Sequence, residues 1–293
     1  MSEYVNALSD HVVEHGAIPR LVIRHPMAEA ELFIQGAHLT RWKPKDEPAV
    51  IFVSPLAKFV HGVGIRGGIP VCFPWFANHA TDATLPAHGF ARTTPWALVS
   101  QASSDSGVEL DFRLVSSEQT RAIWPHDFAC DLHVAVGRTL EMRMVVANTD
   151  RVAFSFEEAL HTYYSVSDVR QVTVSGLTGG DYLDKPDGLQ RKTESEPAVR
   201  FTGETDRVYL NTTATCVIDD PGERRRIVVE KEGSRSTVVW NPAAKRASQL
   251  NDLGEANWPP FVCVETANVG ENSVKLQPGE THAMTMRVRV ERD

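Results

Sequence analysis

The sequence predicts an all-β protein built as a large β-sandwich, and three observations carry that prediction. Segments with period-two alternation recur through to the C-terminus, short turn-forming stretches separate them, and helical candidates are few and brief. Nothing alternates strands with long helices as βαβ units require. At 293 residues and 42% hydrophobic content the chain can bury a substantial core, as one large domain or two modest ones. With no internal repeat, low-complexity tract or clear linker, a single unit over residues 1–293 is expected.

Taken in order, residues 31–42 (ELFIQGAHLTRW) and 49–54 (AVIFVS) read as short strands separated by the turn between Pro44 and Pro48. Strands follow at 96–101, 108–115, 128–136 and 139–148, where FACDLHVAV and LEMRMVVAN show the clearest alternation of an apolar with a mixed face. The SSDSG turn and Gly137-Arg138 link them as antiparallel neighbours. The series continues at 154–166, 169–174, 214–218, 227–231, 237–240, 261–267 and 280–290. Residues 117–124 and 243–250 fit one or two helical turns, and 185–197 reads as a polar loop.

Charge and composition remove several function classes. A net charge of -8 and a pI near 5.8 oppose nucleic-acid binding. The longest basic run, Arg224-Arg225-Arg226, reads as a solvated turn. No stretch of about 18 apolar residues suggests a membrane helix, and an N-terminus carrying Glu3, Asp10 and Glu14 lacks a signal-peptide core. Cys72, Cys130, Cys216 and Cys263 are far apart, without a C-x-x-C pair, so free buried thiols in a reducing cytoplasm are expected.

The stretch 65–92, IRGGIPVCFPWFANHATDATLPAHGFAR, has almost no regular periodicity and concentrates arginine, histidine, glycine and proline, so it reads as a ligand-facing loop. In Arg66-Gly67-Gly68 the glycines would let the backbone approach a ligand, while the arginine offers a donor fork for phosphate or carboxylate. In LPAHGFAR, His88 precedes a glycine and Arg92 follows four residues later; a structural role for His88 is as consistent with its local sequence. Core packing suits most of Phe73, Trp75, Phe76 and Phe90, although an aromatic ring can also stack on a sugar.

Two further clusters lie far along the chain. In EEALHTYYS, strand alternation puts Glu157, Ala159, His161 and Tyr163 on one face, where His161 is either a tuned proton donor or a buried ring bonded to tyrosine. In FVCVETA, Glu265 interrupts an apolar strand. A buried carboxylate requires partners, a cavity or a strand end, and an acid in a cavity is what a general base needs.

Together IRGGIPVCFPWF, LPAHGFAR, HTYYSVSDV, Asp206-Arg207-Val208-Tyr209, WNPAAKRA, FVCVETANV and LQPGETH, in colinear order, resemble the aldose 1-epimerase superfamily, and more narrowly its hexose-6-phosphate mutarotases (glucose-6-phosphate 1-epimerases). The resemblance implies a galactose-mutarotase-like β-supersandwich, a site without metal or cofactor, and exchange between the anomers of a phosphorylated hexose. It places His161 and Glu265 at the catalytic positions and Arg66, Arg92 and Asp206 at substrate-binding ones, with His88 adjoining them. Ala87 stands where some members carry a polar Gln, which removes one sugar contact.

Opening a pyranose takes a proton from the anomeric hydroxyl and gives one to the ring oxygen, so an acid and a base must flank the sugar. On this reading Glu265 takes the O1 proton and protonated His161 supplies O5, while Arg66 and Arg92 hold the 6-phosphate within a local positive patch. The expected partner is a small phosphosugar, with no nucleic acid or membrane, for a monomer or weak homodimer. A non-catalytic carbohydrate-binding or sugar-sensing protein on the same fold is the alternative, and a glycoside hydrolase with paired carboxylates ranks lower. Eleven histidines are available, including His79, but no H-x-H or H-E-x-x-H spacing supports a metal site.

Overall fold

Alternation in the sequence becomes ladder register in the structure. Phe128–Gly137 runs antiparallel to Leu140–Asn148, setting Leu132 opposite Met144 and Val134 opposite Met142, and the buried residues of both strands fall at every second position. The structure is a computed structural model that describes residues 8–12 and 18–292, so the N-terminal Glu3 and Glu14 lie outside the described residues.

These two strands belong to a nine-stranded sheet in the order Ala198–Arg200, Thr173–Ser175, Cys216–Asp220, Arg225–Glu232, Thr281–Arg292, Leu140–Asn148, Phe128–Gly137, Gly107–Val115, Ala97–Ser104. A second sheet of eight strands runs Gln190–Thr193, Asp181–Asp184, Thr205–Tyr209, Ser236–Asn241, Phe261–Asn268, Glu158–Leu160, Val71–Cys72, with Tyr163–Ser165 also paired to Phe261–Asn268. One continuous apolar cluster joins them, including Leu132, Met142 and Met286 from the first sheet and Val239, Val262 and Val264 from the second. The Tyr164 hydroxyl meets Met286 Sδ at 3.6 Å. The expected large β-sandwich is therefore present, joined by a four-stranded sheet of Leu8–Val12, Arg20–His25, Ala28–Phe33 and His38–Pro44.

Several local expectations change. Residues 31–42 are two strands rather than one, because Gly36 and Ala37 adopt positive φ and turn the chain between them. Residues 49–54 make isolated bridges, Ile51 to Tyr164 and Val53 to Gly67. The long strand expected at 154–166 is broken into Phe154–Phe156, Glu158–Leu160 and Tyr163–Ser165. Part of the 185–197 loop is the strand Gln190–Thr193. Arg225 is no solvated turn residue: it is 1% exposed, donates to the Ser165 carbonyl at 2.7 Å and faces Asp220 at 3.8 Å. The helices shorten to Glu118–Ile123, held by a Ser117/Thr120 capping box, and Ala243–Ala247. All four cysteines are free and buried, as expected.

A histidine paired with a buried carboxylate gives the fold a pH dependence. His282 Nε2 donates to Glu158 Oε1 at 3.0 Å, and this bond to a fully buried carboxylate raises the histidine's affinity for its proton. A raised folded-state value stabilises the fold fully below the unfolded histidine range, about pH 6.5, and that contribution is lost as pH rises through the folded-state value. The stability gap between wild type and His282→Gln, measured by urea unfolding, should be widest near pH 6 and narrow on going alkaline. A gap that is flat with pH would contradict the pairing.

Candidate active site

Glu265 owes its burial to the strand that carries it. Phe261–Asn268 is paired along both edges and buried throughout. Val262 and Val264 point into the core between the large sheets, whereas Cys263 and Ala267 join smaller clusters. Alternation therefore turns Glu265 to the sheet's other face. Across from it Leu160 pairs with Thr266 and Tyr163 with Cys263, but between them the ladder opens. The His161 N–H donates to the Pro70 carbonyl at 3.0 Å and the Thr162 N–H to the Leu160 carbonyl at 2.9 Å. The register carried across this gap sets His161 opposite Glu265, with Nδ1 to Oε1 at 3.3 Å and both side chains buried. The approach is close but poorly aligned for a hydrogen bond, and His161 Nδ1 and Glu265 Oε2 have no such partner among the described residues.

This pair stands on the wall of a cavity of about 370 Å³ that also reaches Arg66, His88, Arg92 and Asp206. All six predicted site residues are thus brought together. Asp206 arrives by register: it pairs with Trp240 while Glu265 pairs with Val238, which places both carboxylates on one face of three adjacent strands. Arg66 donates to Asp252 Oδ1 and to the Tyr163 hydroxyl, each at 3.1 Å, and Tyr163 stacks on His161 with centroids 4.9 Å apart. Arg92 donates to the Ala87 carbonyl at 2.8 Å. A larger cavity of about 460 Å³, lined by Ile18, Phe33, Ile51 and Phe59 beside Arg20 and Glu31, contains none of the six.

The glycines after Arg66 serve packing rather than ligand approach. Gly67 and Gly68 have φ of 107° and 73°, and a Cβ would fall 2.5 Å from Val53 Cα at the first and 2.3 Å from His38 Nε2 at the second. The buried His38 ring donates from Nε2 to the Gly67 carbonyl at 2.8 Å, and burial pushes its pKa down to about 4, so it stays neutral under the loop. Gly68→Ala should destabilise the fold by more than about 1 kcal/mol, since alanine fits neither that φ nor that space. A urea midpoint unchanged from wild type would contradict this.

His88 has φ of 65°; its N–H donates to the Ala77 carbonyl at 2.7 Å, and its Nδ1 accepts from the Ala77 N–H at 3.3 Å. The neutral ring therefore carries its proton on Nε2. Burial, then the charges of Arg92, Lys185 and Arg66, hold His88 well below the usual histidine range. The aromatic residues divide as expected: Phe73, Trp75 and Phe90 belong to the main core, and Phe76 lines the cavity. Glu157 is not among the residues that line the cavity. Its carboxylate accepts from the Phe76 N–H at 2.8 Å and the Gly270 N–H at 2.6 Å, anchoring the loop instead.

Burial pushes Glu265 well above the ordinary carboxylate range and His161 well below the ordinary histidine range, the latter helped by His88, Arg92, Arg66 and Lys185. Both directions favour the proton on Glu265 over His161. That reverses the starting state expected from the sequence, because burial penalises both charged forms. Asp206 is also raised by burial. Four cations, Arg66, Arg92, Lys185 and Arg246, line the cavity with Glu204, Asp206 and Glu265. Lys185, Asp252 and Trp240 were not among the expected site residues, whereas Tyr163 was placed on the His161 face; the D-K-P-D-G turn signal at 184–188 was the one pointer to Lys185.

An acid and a base thus face each other in a cavity lined by four cations on an all-β sandwich, an arrangement suited to moving protons on a bound sugar. The chain matches the Aldose 1-epimerase family over residues 19–289, and it belongs to that family. It is 39% identical over 269 residues to an Escherichia coli K12 protein named "Putative glucose-6-phosphate 1-epimerase", covering 92% of this chain and 90% of that one. A Salmonella typhimurium protein of the same name is 40% identical over 246 residues, covering 84% and 82%. Among solved structures, one described as "a putative mutarotase" from Salmonella typhimurium superposes with a TM-score of 0.92 at 35% identity, covering 100% of this chain and 96% of that one.

Proposed function

We propose that this protein interconverts the α and β anomers of a hexose 6-phosphate, with glucose 6-phosphate as the representative substrate, by acid–base ring opening and closure. The observation that carries the reading is the 3.3 Å meeting of His161 and Glu265 in a cavity shared with Arg66 and Arg92. The names of the Escherichia coli and Salmonella relatives support a phosphorylated glucose as substrate.

The pair holds one proton between its members, and that is what the reaction uses. With the proton on His161, Glu265 removes the O1 proton as His161 protonates O5; C1–C2 rotation in the open aldehyde and reclosure with the roles exchanged give the other anomer. Behind burial and His88, the charges of Arg92 and Arg66, the two cations assigned to the phosphate, help to lower His161. A bound dianion offsets their charge and favours moving the proton from Glu265 to His161. Asp206 accepts from sugar hydroxyls, and Arg66 and Arg92 donate to the 6-phosphate.

Two-dimensional exchange NMR on glucose 6-phosphate tests the reading: catalytic amounts of protein should produce α/β cross-peaks at mixing times where the buffer alone gives none. Sugar resonances that broaden on binding without exchanging would make the protein a carbohydrate binder instead. We further read the chain as one domain acting in the cytoplasm as a monomer or weak homodimer. The continuous core and four free buried thiols support the first two parts of that reading, and among the described residues no helix is long and apolar enough to cross a membrane.

A further inference from the structure

Asp206 and Glu265 are two carboxylates on one face of the sheet, on strands separated by Ser236–Asn241, and each has an oxygen that is buried without a hydrogen bond: Oδ1 of the first and Oε2 of the second. Two such groups in one cavity raise each other's proton affinity unless a cation stands by. Arg66 is engaged by Asp252 and Tyr163, and Arg92 by the Ala87 carbonyl. Lys185 contacts Asp206 and lines the same cavity as Glu265: its Nζ lies 3.2 Å from Asp206 Oδ1 and 4.9 Å from the centre of the Phe76 ring. Its backbone is set by the turn Lys185–Asp187, closed by Gly188 at φ 62°, which follows directly on the strand paired with that of Asp206.

We propose that Lys185 is a positioning residue of the reaction, whose ammonium, docked between Asp206 and the Phe76 ring, serves the carboxylate side of the cavity and keeps Glu265 available as a base. The inference rests on the functional reading above. Its direction agrees with the electrostatics: burial raises Glu265, Lys185 opposes that rise, and Asp206 adds to it. The other groups facing this cavity are fixed by their own elements. Arg66, His88 and Arg92 come from the long loop and His161 from the gap between the strands Glu158–Leu160 and Tyr163–Ser165. Glu204 precedes the strand of Asp206, and Arg246 lies on the short helix, where it bonds Gln249 at 2.8 Å. Cys72 and Cys263 are buried thiols whose pKa burial raises, so they add no charge.

The test compares wild type, Lys185→Met and Lys185→Arg. The acidic limb of kcat/KM for glucose 6-phosphate should move up by about one pH unit in Lys185→Met, a roughly tenfold loss on that limb, and return in Lys185→Arg. Independently of activity, the 13C resonance of the Glu265 carboxyl in the substrate-free protein should titrate at higher pH in Lys185→Met than in wild type. An unmoved titration overturns the inference, as does an unshifted profile accompanied by a KM rise confined to the phosphorylated sugar, which would make Lys185 a phosphate ligand. A wild type inactive on glucose 6-phosphate defeats the functional reading, and the carboxyl titration still judges Lys185.

Discussion

Glu265→Gln is expected to lower kcat for anomer exchange of glucose 6-phosphate by about 10²–10⁴-fold with little change in KM, the range typical of losing a positioned proton-transfer group. Glutamine preserves shape and most packing in a fully buried strand but carries no proton that it can exchange at working pH. His161→Ala should cost a similar factor, since the ring stacks on Tyr163 and lies within 3.3 Å of Glu265 without carrying the core. Coupled-enzyme or NMR measurements at saturating substrate separate kcat from KM. Should either variant lose only KM, its residue holds the sugar and does not move protons.

Arg92→Ala is expected to reduce kcat/KM for glucose 6-phosphate by about 10–100-fold while leaving the slower exchange of glucose nearly unchanged. A hydrogen bond to a charged group contributes about 1.5–3 kcal/mol, and about 1.4 kcal/mol corresponds to tenfold. The side chain is tied to the protein through one bond to the Ala87 carbonyl, so its removal leaves few contacts unmade. Arg66→Ala should show the same selectivity with an added loss on both sugars, because it also frees Asp252 and the Tyr163 hydroxyl beneath His161. Equal losses on glucose and glucose 6-phosphate in Arg92→Ala would place the phosphate elsewhere.

The fold was legible where burial is one-sided. FACDLHVAV and LEMRMVVAN write their register in alternating side chains, and the structure pairs them accordingly. Glu265 was legible for the converse reason, as a carboxylate directly following the apolar run Phe261–Val264 in a strand. Its meeting with His161 was not, because it depends on a ladder register between segments about a hundred residues apart and on a ladder that opens at one point. Glu157 falls at a separate break, between Phe154–Phe156 and Glu158–Leu160, where the chain changes pairing partner. Lys185 was lost in a polar loop whose composition matches any solvated turn, and Arg225 looked solvated because its partners, Asp220 and the Ser165 carbonyl, come from other elements. The glycines at 67 and 68 were rightly singled out for the wrong reason, since what approaches them is the protein's own backbone and His38.

The claim that His161 and Glu265 work as one acid–base unit is tested most directly by exchange NMR on glucose 6-phosphate with wild type, Glu265→Gln, His161→Ala and the double variant. Groups that share a single proton-transfer cycle are strongly non-additive. The double variant should therefore be about as slow as the slower single one. Single variants that keep the wild-type rate, or losses that multiply in the double variant, would contradict it.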